Sequence, residues 1–418
     1  MKKTYYTRAS CRFCKSLNIQ NVLPLTPTAL CDAYVPKCSG VKHEIYPLDL
    51  FLCNNCGYVF LPHVVDPEII YRDYIYVTTS SMGLSEHFRN YSERVISYTK
   101  QRKNSLVVDL GSNDGTLLSY FKNNGFRVLG IEPAKEISRK ANESGIDTIP
   151  DFFNYRIAEK IKSEYGAASI ITVNNLLANI DDLDEIIKGV SFLLEQDGFF
   201  IIESSYLGSM IENMVFDFIY HEHLSYFSIK PLLMYLKKFN LNLINIDKVP
   251  TKGGSLRYYF QLSETGNRPS AAVDEMIKNE NLLRLDDVQT YRLFADKIYK
   301  RKDELLRIIG MLTQENKSIY AYGASATSTT LIYHFELGDI IKTIFDDNIA
   351  KFDTASPGFK IPVLSSEMIY EKNPDCIIIL AWRYAETIIN KHQQFLENGG
   401  QFIIPLPELK IVKRGVVL

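Results

Sequence analysis

Leu106-Val107-Val108-Asp109-Leu110-Gly111-Ser112-Asn113-Asp114-Gly115-Thr116 is the stretch that decides the fold. A short aliphatic strand runs into a turn holding two glycines, and Thr116-Leu117-Leu118 opens a helix. Glycine lets the backbone approach a ligand closely, and a helix amino end offers unpaired N–H groups. About twenty residues further on, Arg127-Val128-Leu129-Gly130-Ile131 is a second strand, ending in Glu132-Pro133 with an acid placed to hydrogen-bond a ribose diol. A dinucleotide turn would read Gly-x-Gly-x-x-Gly. Here an acid, Asp109, ends the first strand and another, Asp114, sits in the turn. Both would repel a pyrophosphate and tolerate or attract a cationic sulfonium, so the pattern favours S-adenosylmethionine over a nicotinamide dinucleotide.

Outward from this turn, the 418-residue chain is too long for one core and predicts two or three domains. A hydrophobic share of 46%, a charged share of 23% and a net charge of −2 are ordinary for a globular protein. They offer no basic footprint for nucleic acid or an anionic membrane. No apolar run is long enough to span a bilayer, and the first residues lack the apolar stretch of a signal peptide, so a cytoplasmic protein is expected.

Six of the seven cysteines precede residue 57. Cys11-Arg12-Phe13-Cys14 and Cys53-Asn54-Asn55-Cys56 each bring two thiolates within reach of one ion. Together they complete a four-sulfur tetrahedral site for structural zinc, with redox-active or merely buried thiols as the alternative. Cys31 and Cys38 read as ordinary residues. Residues 1–80 therefore form a zinc-binding domain, ending in the Tyr- and Ser-rich run from Asp73 to Ser81, which suits a binding loop or a pair of half-buried strand tyrosines. Residues 81–235 hold the strand–turn–helix unit and residues 236–418 a C-terminal domain.

That last domain repeats the pattern. Ile319-Tyr320-Ala321-Tyr322 leads into Gly323-Ala324-Ser325 and a helix start, and Thr343-Ile344-Phe345 ends in Asp346. A third strand runs from Asp375 to Ala381 and is followed by Trp382-Arg383. No acid follows the first strand here, and the Ser and Thr residues suit an anion at the helix amino end. The fold class expected is thus α/β: a zinc-binding head, a Rossmann-like domain for S-adenosylmethionine, and a second Rossmann-like domain.

Tyr220-His221-Glu222-His223 carries four polar side chains in a row. On a helix the two histidines would point to different faces, and on a strand no third ligand is visible, so a catalytic metal is disfavoured. Satisfied core or surface histidines remain one reading. An acid/base site is the preferred one, because histidine titrates near neutrality and neighbouring carboxylates raise its basicity.

The acid-x-Gly-x-x-x-Gly turn resembles the first motif of the class I methyltransferases. That resemblance implies Asp109, Gly111, Ser112, Asn113, Asp114 and Gly115 around the methionine part of the cofactor, and Glu132-Pro133 at the ribose. It also implies Asp151-Phe152 near the adenine, and Asn174-Asn175 at the end of the fourth strand. A narrower resemblance rests on Asn174 to Ile180, Glu203-Ser204-Ser205-Tyr206-Leu207, Phe216 to Ser228 and Gly253-Gly254-Ser255-Leu256-Arg257. These runs are similar to those of the nucleotide-sugar 3-C-methyltransferases, and the similarity covers essentially the whole chain.

What the resemblance implies is methylation of C3 of a nucleotide-linked 4-keto-6-deoxy sugar through an enolate. His223 would be the base, Glu222 would orient it, and Tyr220 or Tyr76 would hold the enolate oxygen, with Arg257 helping to place the substrate. The C-terminal domain would take the sugar nucleotide, with Ser325 near phosphate, Asp346 near ribose, and Trp382 and Arg383 at the base or phosphate; otherwise it only packs. Asn179 departs from the family, whose members carry histidine there, and an amide cannot shuttle a proton at neutral pH. A monomer or weak homodimer is expected. The competing readings are a sugar O-methyltransferase, a methyltransferase on another glycan precursor, and a non-catalytic zinc-containing nucleotide-binding protein.

Overall fold

The computed structural model describes residues 4–71 and 83–417. Strand Leu106–Leu110 lies inside a seven-stranded sheet. Its order is Leu241–Val249, Ser255–Leu262, Leu194–Ser205, Ala168–Asn174, Leu106–Leu110, Arg127–Ile131, Thr148–Ile149. Pairing is parallel from Leu194–Ser205 to Thr148–Ile149 and antiparallel where Ser255–Leu262 joins. Val107 packs with Tyr91, Leu117 and Phe121, whereas Leu106, Val108 and Leu110 face a second core with Ala158, Ile161 and Ile171. A parallel strand covered on both faces has no solvent-facing position, which is why this stretch is an unbroken aliphatic run. Chain order reverses between Leu106–Leu110 and Ala168–Asn174. In open α/β sheets the crevice beyond the carboxyl ends of such a pair is where ligands bind.

The expected domain break after residue 235 falls inside this unit. Leu241–Val249 and Ser255–Leu262 complete its sheet, and Ser255–Leu262 pairs with Leu194–Ser205 over six registered residues. Local periodicity identifies these segments as strands but not the sheet they join. Helices Ala271–Leu283 and Val288–Gln314 follow. They lead to a second doubly wound sheet ordered Val363–Ser365, Ile344–Asp346, Ile319–Tyr322, Cys376–Ile379, Gln401–Ile404, Lys410–Lys413, Val416–Val417.

The head is a four-stranded antiparallel sheet of Ile19–Thr28, Tyr46–Cys53 and Val59–Phe60, and its outer strand, Ser225–Tyr226, comes from the middle of the chain. Val35–Pro36 pairs with Thr354–Ala355 and ties the head to the C-terminal domain. Among the described residues no helix is long and apolar enough to cross a membrane.

Candidate active site

The residues expected around the cofactor share one edge. Asp109, Glu132, Asp151 and Asn174 lie at or just past the carboxyl ends of four neighbouring strands. The turn between them needs its glycines: Gly111 and Gly115 have φ of 72° and 76°, and a Cβ on Gly111 would meet Leu176 Cδ2 at 2.9 Å. Glu132 accepts from the Asn113 N–H at 3.0 Å and the Ala134 N–H at 2.9 Å, which fixes its carboxylate at the turn. Phe152 is 57% exposed at the edge of the sheet, an open ring face for an adenine. Asn174 Oδ1 and Ser112 Oγ are buried without a hydrogen-bond partner among the described residues. An aromatic face, a strand-end acid and unpaired polar atoms along one crevice fit S-adenosylmethionine.

Both acids of the turn are engaged within the fold. Asp109 is 4% exposed and accepts from Thr172 Oγ1 at 2.6 Å. Burial pushes its carboxyl up to about 7, against the pull of Thr172. Asp114 accepts from the N–H and hydroxyl of Thr116 and caps the helix that follows.

The four knuckle sulfurs lie within 4.8 Å of one another, with Cys11 to Cys56 at 3.6 Å and Cys14 to Cys53 at 3.5 Å. A tetrahedral ion with bonds of about 2.3 Å spaces its sulfurs about 3.8 Å apart, so the cluster fits zinc. The knuckle also grips the polar run. Arg12, buried between the two ligands, donates from Nε to Asp181 at 2.7 Å and from Nη1 to the carbonyls of Leu61 and Leu224 at 2.8 and 3.2 Å. Leu224 follows His223 directly, and the next two residues form the strand joined to the head.

Within the run the roles diverge. His221 donates from Nε2 to the Pro47 carbonyl, 3.2 Å away, and packs on Tyr46; burial holds it down to about 4. It is a structural residue. His223 is 6% exposed, its Nε2 is 3.3 Å from the Tyr220 hydroxyl, and burial with Lys252 nearby pushes it down to about 3. The expected partnership with Glu222 is absent: the Cys31 thiol donates to Glu222 Oε1 at 3.2 Å. Among the described residues no carboxylate raises His223, and Cys31, read as ordinary, holds Glu222. Tyr76 lies outside the described residues.

His223 lines a cavity of about 20 Å³ with Ser205, Tyr206, Phe218, Tyr226 and Lys252. Ala178, next to Asn179, contributes to its wall, and Asn179 Oδ1 is buried without a partner among the described residues. Lys252 was not singled out from the sequence. Its signal was its place directly before the Gly253-Gly254 turn.

Arg257 does not face this cavity as a free cation. It donates from Nε and Nη2 to Glu203 Oε2 at 2.9 and 2.7 Å and stacks on Tyr91, while His87 Nε2 lies 2.7 Å from Glu203 Oε1. It supports the sheet end on which the site is built. Trp382 and Arg383 are likewise engaged. The indole donates to Asp217 at 3.0 Å and Arg383 Nη1 reaches both Asp217 oxygens at 3.0 and 3.1 Å, so the C-terminal domain clamps the segment that leads into Tyr220. Ser325 Oγ lies 3.0 Å from Thr327 Oγ1 and 2.9 Å from Ser328 Oγ at a helix start. Asp346 accepts from the Ala324 N–H at 2.6 Å and the Asn348 N–H at 2.7 Å, the same two-residue pattern that Glu132 shows in the first unit.

Fold and site together define a zinc-headed, S-adenosylmethionine-dependent methyltransferase with a second Rossmann-like domain. Family models match in three consecutive blocks: a zinc binding domain over residues 11–71, a methyltransferase domain over 85–246 and a C-methyltransferase C-terminal domain over 250–407. The C-methyltransferase NovU of Streptomyces niveus is 32% identical over 369 residues, covering 88% of each chain, and the present chain belongs to this C-methyltransferase family. Among solved structures, the PH0226 protein of Pyrococcus horikoshii aligns over 46% of this chain and 98% of its own at 17% identity and TM-score 0.38. The magnesium protoporphyrin IX methyltransferase of Synechocystis, solved with S-adenosylhomocysteine, aligns over 46% and 91% at 12% identity and TM-score 0.35.

Proposed function

We propose that the protein methylates C3 of a 4-keto-6-deoxy sugar carried on a nucleoside diphosphate. The observation that carries the reading is His223, an uncharged imidazole that lines a small cavity at the carboxyl edge of the methyltransferase sheet together with Ser205, Tyr206 and Lys252. A carbon beside a ketone becomes nucleophilic only when its proton leaves; His223 is unprotonated at neutral pH and free to accept it, and the negative charge gathering on the substrate raises the basicity that burial has lowered. S-adenosylmethionine supplies the electrophilic methyl group when bound.

In this reading Asp109 to Gly115, Glu132-Pro133, Asp151-Phe152 and Asn174-Asn175 hold the cofactor at the switch point. Tyr220 orients His223 through its hydroxyl, Tyr76 hydrogen-bonds the substrate, and Asn179 offers its unpaired amide oxygen to a sugar hydroxyl. A nucleotide sugar is supported by the second doubly wound sheet, whose Ser325 turn and Asp346 repeat the strand-end geometry of the first. Trp382 and Arg383 act on the loop through Asp217 rather than on the base. The test is mass spectrometry and NMR of candidate keto sugar nucleotides after incubation with S-adenosylmethionine: one new methyl on carbon is expected, and a methyl on oxygen would overturn the reading.

A further inference from the structure

Lys252 sits in a strained turn. It adopts φ of 54°, followed by Gly253 at 81° and Gly254 at 123°. A Cβ on Gly253 would meet Val215 Cγ2 at 2.9 Å, and one on Gly254 would meet Ser209 Cβ at 2.5 Å, so the turn is pressed against helix Leu207–Glu212 and the segment that follows it. Asn213 Nδ2 donates to the Gly253 carbonyl at 3.0 Å and the Tyr206 N–H to the Gly254 carbonyl at 3.1 Å. A lysine held left-handed costs about 1 kcal/mol or more, and such outliers cluster at ligand clamps and active sites. The strain delivers the side chain into the wall of the His223 cavity.

Among the described residues the charge there has no hydrogen-bonded partner. Glu203 and Glu222 are the acids near it, and both are committed elsewhere, Glu203 to Arg257 and His87 and Glu222 to Cys31. His223 is an uncharged neighbour, the phenols of Tyr206 and Tyr226 on the same wall are held protonated by burial, and Arg383 flanks the Gly253 end of the turn, where it is paired with Asp217. Burial pulls Lys252 down to about 8 while the two acids hold it up, so it is an ammonium at neutral pH. Lys252 is half-buried, and an ammonium drawn out of bulk water with no partner among the described residues is well placed for an anion that forms beside it.

We infer that Lys252 is a catalytic residue whose ammonium holds the substrate carbonyl oxygen as negative charge gathers on it. When the neighbouring C–H bond breaks, the proton passes to His223 and the electron pair moves onto that oxygen, beside the Lys252 cation. The pair returns to carbon as it bonds to the sulfonium methyl, the methyl–sulfur bond breaks with its electrons going to sulfur, S-adenosylhomocysteine leaves, and the ketone is restored. This rests on the carbanion reading above and deepens it.

The experiment uses the full zinc-loaded chain, S-adenosylmethionine, and 4-keto-6-deoxyhexoses linked to thymidine, guanosine, uridine or cytidine diphosphate. Carbon-bound deuterium exchange and methyl transfer are followed for wild type, K252M and K252R. K252M should lower kcat for both by about 10²- to 10³-fold, the usual loss for one oxyanion donor, with KM and S-adenosylhomocysteine affinity little changed. K252R should recover part of the rate and lose the decline above about pH 8 that wild type shows as the ammonium titrates. If K252M does not fold, K252R and its alkaline limb decide alone. A K252M enzyme as fast as wild type, or a K252R enzyme with an unmoved alkaline limb, overturns the role of Lys252 and leaves the substrate reading standing. A wild-type enzyme that neither exchanges nor methylates carbon on any of these sugars overturns the substrate reading, and this inference with it.

Discussion

Three buried, uncharged histidines make the fold acid-labile in a calculable way. His223 is held down to about 3, and His221 and His334 to about 4, each chiefly by burial, against an ordinary value of 6.5. Their folded values lie below the unfolded one, so their contribution is fully present above about pH 6.5 and drains as pH falls towards 4. Between pH 6 and 5 the unfolded chain binds nearly three more protons at these sites, worth about 3.5 kcal/mol of lost stability. Asp109 works in reverse. Its carboxyl, raised to about 7, is already protonated in the folded state over that interval and returns about 1.3 kcal/mol. These four groups together lose about 2 kcal/mol per pH unit; Glu132, Glu222 and Glu280, raised by burial, act in the direction of Asp109, and His392, lowered by burial, in that of the histidines. Zinc thiolates also lose metal in acid, so the informative comparison is with His221→Gln, which keeps a donor for the Pro47 carbonyl. Urea unfolding followed by circular dichroism at pH 6 and 5 should show a slope shallower by about 1.2 kcal/mol per pH unit in the variant. Equal slopes would refute the claim that His221 is buried uncharged.

Other perturbations read other parts of the molecule. Arg257→Leu strands Glu203 in the core with only His87, and should cost about 3–5 kcal/mol in thermal or chemical unfolding; an unchanged midpoint would contradict the buried pair. Cys53→Ser should lose zinc by elemental analysis and lose methyl transfer, because the head holds Leu224 and Ser225–Tyr226, while S-adenosylhomocysteine still binds the separate sheet. A variant that keeps full metal would sink the four-thiolate site. Glu132→Ala should weaken S-adenosylhomocysteine by about 1.5–3 kcal/mol in calorimetry, the worth of hydrogen bonds to a charged group, and an unaltered Kd would remove Glu132 from the ribose.

Much of the scaffold was legible because its signals are local. The aliphatic run into Gly111 and Gly115, the repeat of that pattern at Gly323, and the two Cys-x-x-Cys knuckles each carry their meaning within a dozen residues. Partnerships were not legible, because they join distant segments. Glu222 meets Cys31 across 191 positions, and Trp382 meets Asp217 across 165. Those two contacts turned an expected histidine orienter and an expected base contact into parts of the frame around His223. The domain break was misplaced for the same reason, since strand pattern does not name the sheet that a strand joins. Lys252 was hidden by its neighbours, because a double glycine draws attention to the backbone, and only the folded turn shows that the side chain before it lines the His223 cavity.

The most direct test of the account follows the substrate's own hydrogen. A 4-keto-6-deoxy sugar nucleotide incubated in heavy water with S-adenosylmethionine carrying a deuterated methyl is read by NMR and mass spectrometry, with wild type and His223→Asn side by side. The account predicts loss of the C3 hydrogen and a deuterated methyl on C3 in wild type, and neither in the variant. A variant that exchanges and methylates as fast as wild type would contradict His223 as the base, and a labelled methyl on oxygen would contradict the carbon nucleophile itself.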